Sequence, residues 1–146
     1  MGFLTSLKAA GKSLDDLNDL MTLHLKEMYD MEDRLIQAYP KLAESASSPR
    51  LKDAFRQQEE RNKTQKHRLE QVFGMMQLKP EKATCDGIKG LVTENEIIEK
   101  TTGDPNVKDA ALIAEAQRMI HYEIAAYGCA RTFAQYMGRS DISDIL

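Results

Sequence analysis

The stretch from Leu14 to Ser45, LDDLNDLMTLHLKEMYDMEDRLIQAYPKLAES, decides the fold. Leu17, Met21, His24, Met28, Met31, Leu35, Ala38 and Leu42 follow one another by threes and fours. A helix turns once in about 3.6 residues, so that step puts them on a single face. A stripe of this length needs partners of matching length, and the chain must supply further long helices to cover it. Ser13 stands before the stripe as the expected N-cap, with Asp16 three residues on as a partner for the first-turn amides. Pro40 is expected to kink the helix near its end. Ahead of all this, Gly2–Gly11 reads as a short amphipathic lead-in.

Outward from that stretch, start and stop signals divide the rest of the chain. Ser48 as N-cap and Pro49 at the first helical position open a helix expected over about 50–77, closed by Leu78-Lys79-Pro80. Its ends are apolar: Leu51, Ala54 and Phe55, then Leu69, Val72, Phe73 and Met76. Its middle differs, because the same seam lands on Gln58, Asn62 and Gln65. Polar groups in a buried seam cost stability unless they are paired, so these three need a reason. A shorter helix is expected over about 84–100, broken by Thr101-Thr102-Gly103-Asp104-Pro105. A last long helix is expected over about 105–137, with a seam of Leu112, Ala116, Met119, Glu123, Ala126, Ala130, Phe133 and Met137. Gly138 ends it, and Ser140 looks like the N-cap of a further helix that begins at Asp141–Leu146.

Helices of about 30 residues span about 45 Å, and short links between them imply antiparallel neighbours. The fold class is therefore all-α: an antiparallel four-helix bundle in one domain over residues 1–146, with a final helix expected beyond it. The 8 Gly and 4 Pro are too few for many turns, and the 8 Met suit gaps between helices. Acidic and basic residues are interspersed around a net charge of −3, which argues against nucleic-acid binding through a broad basic patch. Met1–Leu7 lacks the pattern of a secretory signal, and no apolar run approaches the length of a membrane span, so the expected location is the cytoplasm. Cys85 and Cys129 lack metal-site spacing and read as reduced, packed thiols.

Two carboxylates sit on the seams in mid-helix: Glu32 beside Met28, Leu35 and Ile36, and Glu123 beside Met119, Ile120, Ala126 and Tyr127. A carboxylate among apolar neighbours is protonated, or paired with a cation or a metal. Bundles that bind two irons or manganeses place inward Glu residues at such positions, with Glu-x-x-His pairs on alternate helices. The competing reading pairs each Glu with Arg or Lys across the seam. Glu59, Glu60, His67 and Glu70 contain no Glu-x-x-His; Glu60 and His67 lie about 10 Å apart along the axis, and His67 and Glu70 read as a solvated face. His24 reads as a core histidine, and His121 as a hydrogen-bonding group toward a neighbouring helix. Tyr29 and Tyr127 are expected at helix interfaces, as candidate hydroxyls near the acids. No Gly-x-Ser-x-Gly, phosphate-cradling loop or Cys–His arrangement occurs.

Leu25–Glu32, Leu51–Phe55, Arg68–Phe73, Gly90–Glu94, Asp109–Ile113 and, most specifically, His121–Gly128 (HYEIAAYG) resemble the YciF-like family across essentially the whole chain. The resemblance implies a ferritin-like, rubrerythrin-related bundle, a homodimer, a role in bacterial stress responses and a non-haem site for two iron or manganese ions. Glu32 and Glu123 match the family's interior acidic positions. Where the family's pattern has His, an acid and Glu, this chain has Gln58, Arg61 and Ile120. The family also continues into a final carboxylate-bearing helix. Two functions from different classes stand side by side. One is a dimetal protein, with Glu32 and Glu123 anchoring or bridging the metals, Glu59 or Glu60 and Gln58 assisting, and the final helix or a partner subunit completing the shell. The other is a metal-free structural or adaptor bundle, with Arg61 or Arg118 pairing the acids. A third reading is a helical binding module with an exposed Met-rich face.

Overall fold

The structure is a computed structural model and describes residues 13–146. The lead-in Gly2–Gly11 and the segment Met1–Leu7 lie outside the described residues. Among the described residues five helices follow in order: α1 (Leu17–Ser45), α2 (Pro49–Met75), α3 (Asp86–Glu99), α4 (Pro105–Tyr136) and the short α5 (Ser140–Ile145). The helices expected over about 14–45, 50–77, 84–100 and 105–137 form, each within three residues of its expected ends.

The differences at the ends are those of cap chemistry. Ser13 is not the N-cap: its hydroxyl donates to Asp15, while Asp16 accepts from the Asp19 amide and starts α1 three residues later. Ser48 caps α2 as expected, and Asp104 caps α4 through the Asn106 and Val107 amides. The end of α2 comes two residues before the expected Gln77. Gln77 turns to φ 58°, Leu78 N–H donates to Phe73 O, and Gln77 N–H donates to Gly74 O, a Schellman closure without glycine. The same pattern ends α4, with Gly138 at φ 72° and Arg139 N–H on Ala134 O. Ser140 is the first residue of α5, with Arg139 in the cap position. Pro40 lies within α1, which continues through it to Ser45.

The central element is α1, whose stripe of Met21, Leu25, Met28, Met31, Leu35, Tyr39 and Leu42 is buried among the other helices. Successive helices alternate in direction. Lys26 reaches Glu81 and Lys41 reaches Glu96, so α3 climbs beside α1. His24 stacks edge-on with Phe133 near the start of α1, and the Ser47 amide beyond its end meets Asp109, so α4 descends along it. α2 packs on α1, while α4 packs on α1 and α3; α2 and α4 make no extended packing with each other. The long helices thus form three sides of a bundle, with an open groove between α2 and α4. Met21, Met28, Met31 and Met119 are completely buried, so these methionines fill the core and present no binding face.

Two buried aspartates tie the links to the helices. Asp30 bridges Arg34 and accepts from the Cys85 amide at 2.9 Å, fixing the connection that leads into α3. Asp109, at the start of α4, accepts from the Ser47 and Ser48 amides at 2.8 and 2.9 Å and fixes the α1–α2 link. Those hydrogen bonds, the Ser47 amide foremost, hold the Asp109 carboxyl below the ordinary carboxylate range. Asp109→Ala is expected to cost about 1–3 kcal/mol, because two amides lose their acceptor. Urea unfolding should show a lower midpoint at unchanged slope. A depressed native pKa stabilises above the ordinary carboxylate pKa, so the deficit should shrink as pH falls below about 4.

Candidate functional site

At mid-height of the bundle the seams of α1, α2 and α4 meet on polar groups. Glu32 of α1 is 0% exposed and Glu123 of α4 is 4% exposed. Asn62 of α2, also fully buried, stands between them. Its side-chain amide donates to Glu32 Oε2 at 2.8 Å and to Glu123 Oε1 at 2.6 Å, with a longer contact of 3.4 Å to Gln65. Tyr127 of α4 donates its hydroxyl to Glu32 Oε1 at 2.8 Å. Each carboxylate therefore faces a neutral donor, with no basic side chain bonded to either.

The electrostatics follow from that environment. Burial raises the Glu32 pKa from 4.5 to about 7, opposed by the hydrogen bonds from Asn62 and Tyr127. Burial, and then the charge of Glu32, raises Glu123 from 4.5 to about 8. Burial and the two acids push the Tyr39 and Tyr127 hydroxyls far upward, so both phenols stay protonated. Three atoms of this centre have no hydrogen-bond partner: Glu123 Oε2, Asn62 Oδ1 and the Tyr39 hydroxyl. The whole is a neutral-donor cage around two acids, able to retain protons at neutral pH.

The other expected residues are placed elsewhere. Glu59 and Glu60 both bond Lys63, one turn on, with side chains 20% and 70% exposed. Arg118 pairs with Glu115 and Glu94 rather than with the central acids, and Arg61 is exposed. Tyr29 donates to Glu70 and stacks edge-on with Phe73, away from Glu32. His67 and Glu70 form an exposed pair, His121 is exposed, and His24 is a core histidine bonded to the Ala126 carbonyl. Cys85 is a buried free thiol against the Tyr122 hydroxyl, whereas Cys129, expected to be packed, is exposed and free. Gly87 makes room for that Tyr122 ring, since a Cβ there would lie 2.6 Å from it. Tyr39 was not expected at the centre. The signal for it was the spacing Glu32, Leu35, Tyr39, Leu42, one more step along the seam.

Glu123, Tyr127 and Gln58 also line the open groove between α2 and α4, of about 860 Å³. Arg61 and Arg68 stand on its α2 side, Ile120 and Ile124 on its α4 side, and Leu146 at its end. Among the described residues no group of three or more His, Cys, Asp or Glu converges as metal ligands, and no helix is long and apolar enough to cross a membrane.

Comparison with known proteins places this architecture. Residues 16–146 match the family described as a domain of unknown function, DUF892. Protein YciF of Escherichia coli (strain K12) is 36% identical over 136 residues, covering 92% of this chain and 81% of YciF. The crystal structure of the E. coli stress protein YciF aligns with a TM-score of 0.86 at 33% identity, over 90% of this chain and 83% of that one. YcfI of Rhodopseudomonas palustris aligns with a TM-score of 0.89 at 33% identity, over 92% of this chain and 85% of that one. The match over residues 16–146 makes this helical bundle a member of the DUF892 family, and it is similar over most of its length to the stress protein YciF.

Proposed function

We propose that this chain is a stress-related, ferritin-like helical bundle whose two-metal centre is reduced to a hydrogen-bonded acid pair, and that it acts by binding a partner rather than by turnover. The observation that carries this reading is Asn62, whose amide donates to Glu32 and Glu123 at once. A donor aimed at both carboxylates takes up the position that a bridging metal would need. Two-metal bundles use about four carboxylates and two His. Here two carboxylates reach the centre, Glu59 and Glu60 are held by Lys63, and Gln58 and Ile120 stand where the resemblance implies ligands. Among the described residues the donor set is too small for a pair of iron or manganese ions.

A second reading is supported by the atoms left without partners. With its amide turned over, Asn62 would offer Oδ1, now unpartnered, to the space between the acids, beside the unpartnered Glu123 Oε2. Those oxygens suit a single hard cation. Elemental analysis separates the two. Wild type purified without chelator, and again after anaerobic iron addition, is expected to hold no more iron or manganese than Glu32→Gln/Glu123→Gln. Near-stoichiometric metal that disappears in the double variant would sink the metal-free reading and favour the second.

A further inference from the structure

We infer that residues 78–85 form a pH-sensitive strap over the first turn of α3, which seals the Cys85 thiol while Glu27 carries its proton and frees it when Glu27 ionises beside Asp86. The device lies on the α3 side of α1 and does not depend on how the central acids are read.

The strap is irregular backbone tied to one side of α1. Glu81 pairs with Lys26 at 2.5 Å, the Ala83 amide donates to the Lys26 carbonyl at 3.1 Å, Lys82 pairs with Asp33, and the Cys85 amide donates to Asp30 at 2.9 Å. Two of these four ties are ion pairs with an exposed partner, Glu81 or Lys82, and such pairs hold little. Beneath the end of the strap Cys85 is buried, with its Sγ 3.2 Å from the Tyr122 hydroxyl of α4.

What the strap covers is a weak helix start. Side chains cap α1, α2 and α4, whereas Cys85, in the cap position of α3, makes no capping hydrogen bond. A first turn without a cap is easier to unwind. The opening residues Asp86-Gly87-Ile88-Lys89-Gly90 include two glycines, the poorest helix formers after proline. Gly87 is required where it stands, because the Tyr122 ring fills the place of its Cβ; Gly90 has open space around it.

Charge supplies the trigger. Glu27 follows Lys26 under the strap, and among the described residues it makes no hydrogen bond and no ion pair. Asp86 faces it from α3, Cys85 from the cap position and Tyr122 from α4. The charged groups nearby are engaged elsewhere: Lys26 holds Glu81, Lys82 holds Asp33, and Asp30 holds Arg34. Burial, and then Asp86, raises the Glu27 pKa from 4.5 to about 7. An ionised Glu27 in the closed form is therefore unpaired beside a second carboxylate. Lifting the strap and unwinding the first turn of α3 hydrates Glu27 and moves Asp86 away. The closed form keeps a proton that the open form has released, so opening grows easier as pH rises toward about 7 and levels off above it.

The test uses the full chain with Cys129→Ser, which leaves Cys85 as its single thiol. The rate at which a pyridyl disulfide modifies the native protein is compared with the rate for the same chain in concentrated urea at the same pH. The ratio cancels the ionisation of the thiol itself and gives a protection factor. Protection is expected to fall about tenfold between about pH 5.5 and 7.5. Glu27→Gln should hold it at its acid value throughout. Gly90→Ala should raise it about fivefold at both pH values by stiffening the first turn. Glu32→Gln/Glu123→Gln should leave the pH dependence in place, since those acids sense unfolding of the whole bundle. Urea below the unfolding transition should hardly change the rate, as befits a local opening. Equal protection at the two pH values, a fall that survives Glu27→Gln or vanishes in Glu32→Gln/Glu123→Gln, or a rate that climbs steeply with the first urea added would overturn the proposal. In the last two cases Cys85 would be reached only by global unfolding.

Discussion

Replacing Asn62 by alanine is expected to lower the unfolding free energy by about 3–5 kcal/mol at pH 8, the cost of removing one partner from a buried charged contact. Asn62 is fully buried, and its amide is the donor that Glu32 and Glu123 share. Without it Glu123 keeps no hydrogen bond and Glu32 keeps only Tyr127. The loss falls on the charged forms of the acids, so the deficit should be smaller at pH 5, where both acids are protonated and desolvation costs less. Asn62→Asp separates charge from shape. It nearly preserves volume but replaces the donor with a third acid, so it should be at least as damaging as alanine at pH 8. At pH 5 it should recover more, because a protonated carboxyl can donate. Asn95 is the control: equally buried, it donates to Glu99 alone, and its replacement should cost about 1 kcal/mol. Guanidinium unfolding at the two pH values reads all three variants. A loss below about 1 kcal/mol for Asn62→Ala at pH 8 would mean that the acids find water or each other without it.

The helices were legible because each is long and strongly periodic, and because Ser48-Pro49, Gly103-Asp104-Pro105 and Gly138 are local signals with local causes. The two acids were legible for the converse reason: Glu32 and Glu123 interrupt apolar seams, and only burial makes such an interruption costly. Asn62 was visible as a polar seam residue, but not as the link between the acids. That link depends on how far α2 and α4 slide against α1, which no single helix encodes. Tyr39 was hidden because an aromatic on a seam looks like ordinary packing; its unpartnered hydroxyl exists only in three dimensions. Glu59 and Glu60 were misleading in a specific way. Adjacent residues on a helix point about 100° apart, so at most one could face the centre, and charge alone could not choose. Lys63 at i+4 and i+3 was the local sign that both are held away from the centre. Cys129, too, was judged by residue type, and its exposure follows from the register of α4.

Stability is expected to fall as pH rises from about 5 to 8.5, with the steepest loss between about pH 5 and 7, where the folded chain holds both extra protons, and Glu32→Gln/Glu123→Gln should remove most of that slope. Glu32 and Glu123 rise in the native state from 4.5 to about 7 and about 8. Between the unfolded and native values the folded chain holds protons that the unfolded chain has released. Each such proton lowers the unfolding free energy by about 1.4 kcal/mol for each pH unit gained. Below about pH 4.5 both states are protonated and these groups give nothing further, while above about 8 both are ionised and the loss is complete. The Gln substitutions keep the side-chain volume but cannot ionise, so the variant should match or exceed wild type at pH 8.5. Glu27 contributes a smaller slope of the same sign. Half-buried and near Asp86, it is raised to about 7, and Glu27→Gln isolates its share. The sign matters more than the size. A cation held between the acids would need both ionised, and protons would compete with it, so stability would rise with pH over the same window. Calorimetric melting of one preparation at pH 5, 7 and 8.5 therefore tests the chemistry of the centre through folding alone: a melting temperature that climbs with pH would place a bound cation where Asn62 is read as the bridge.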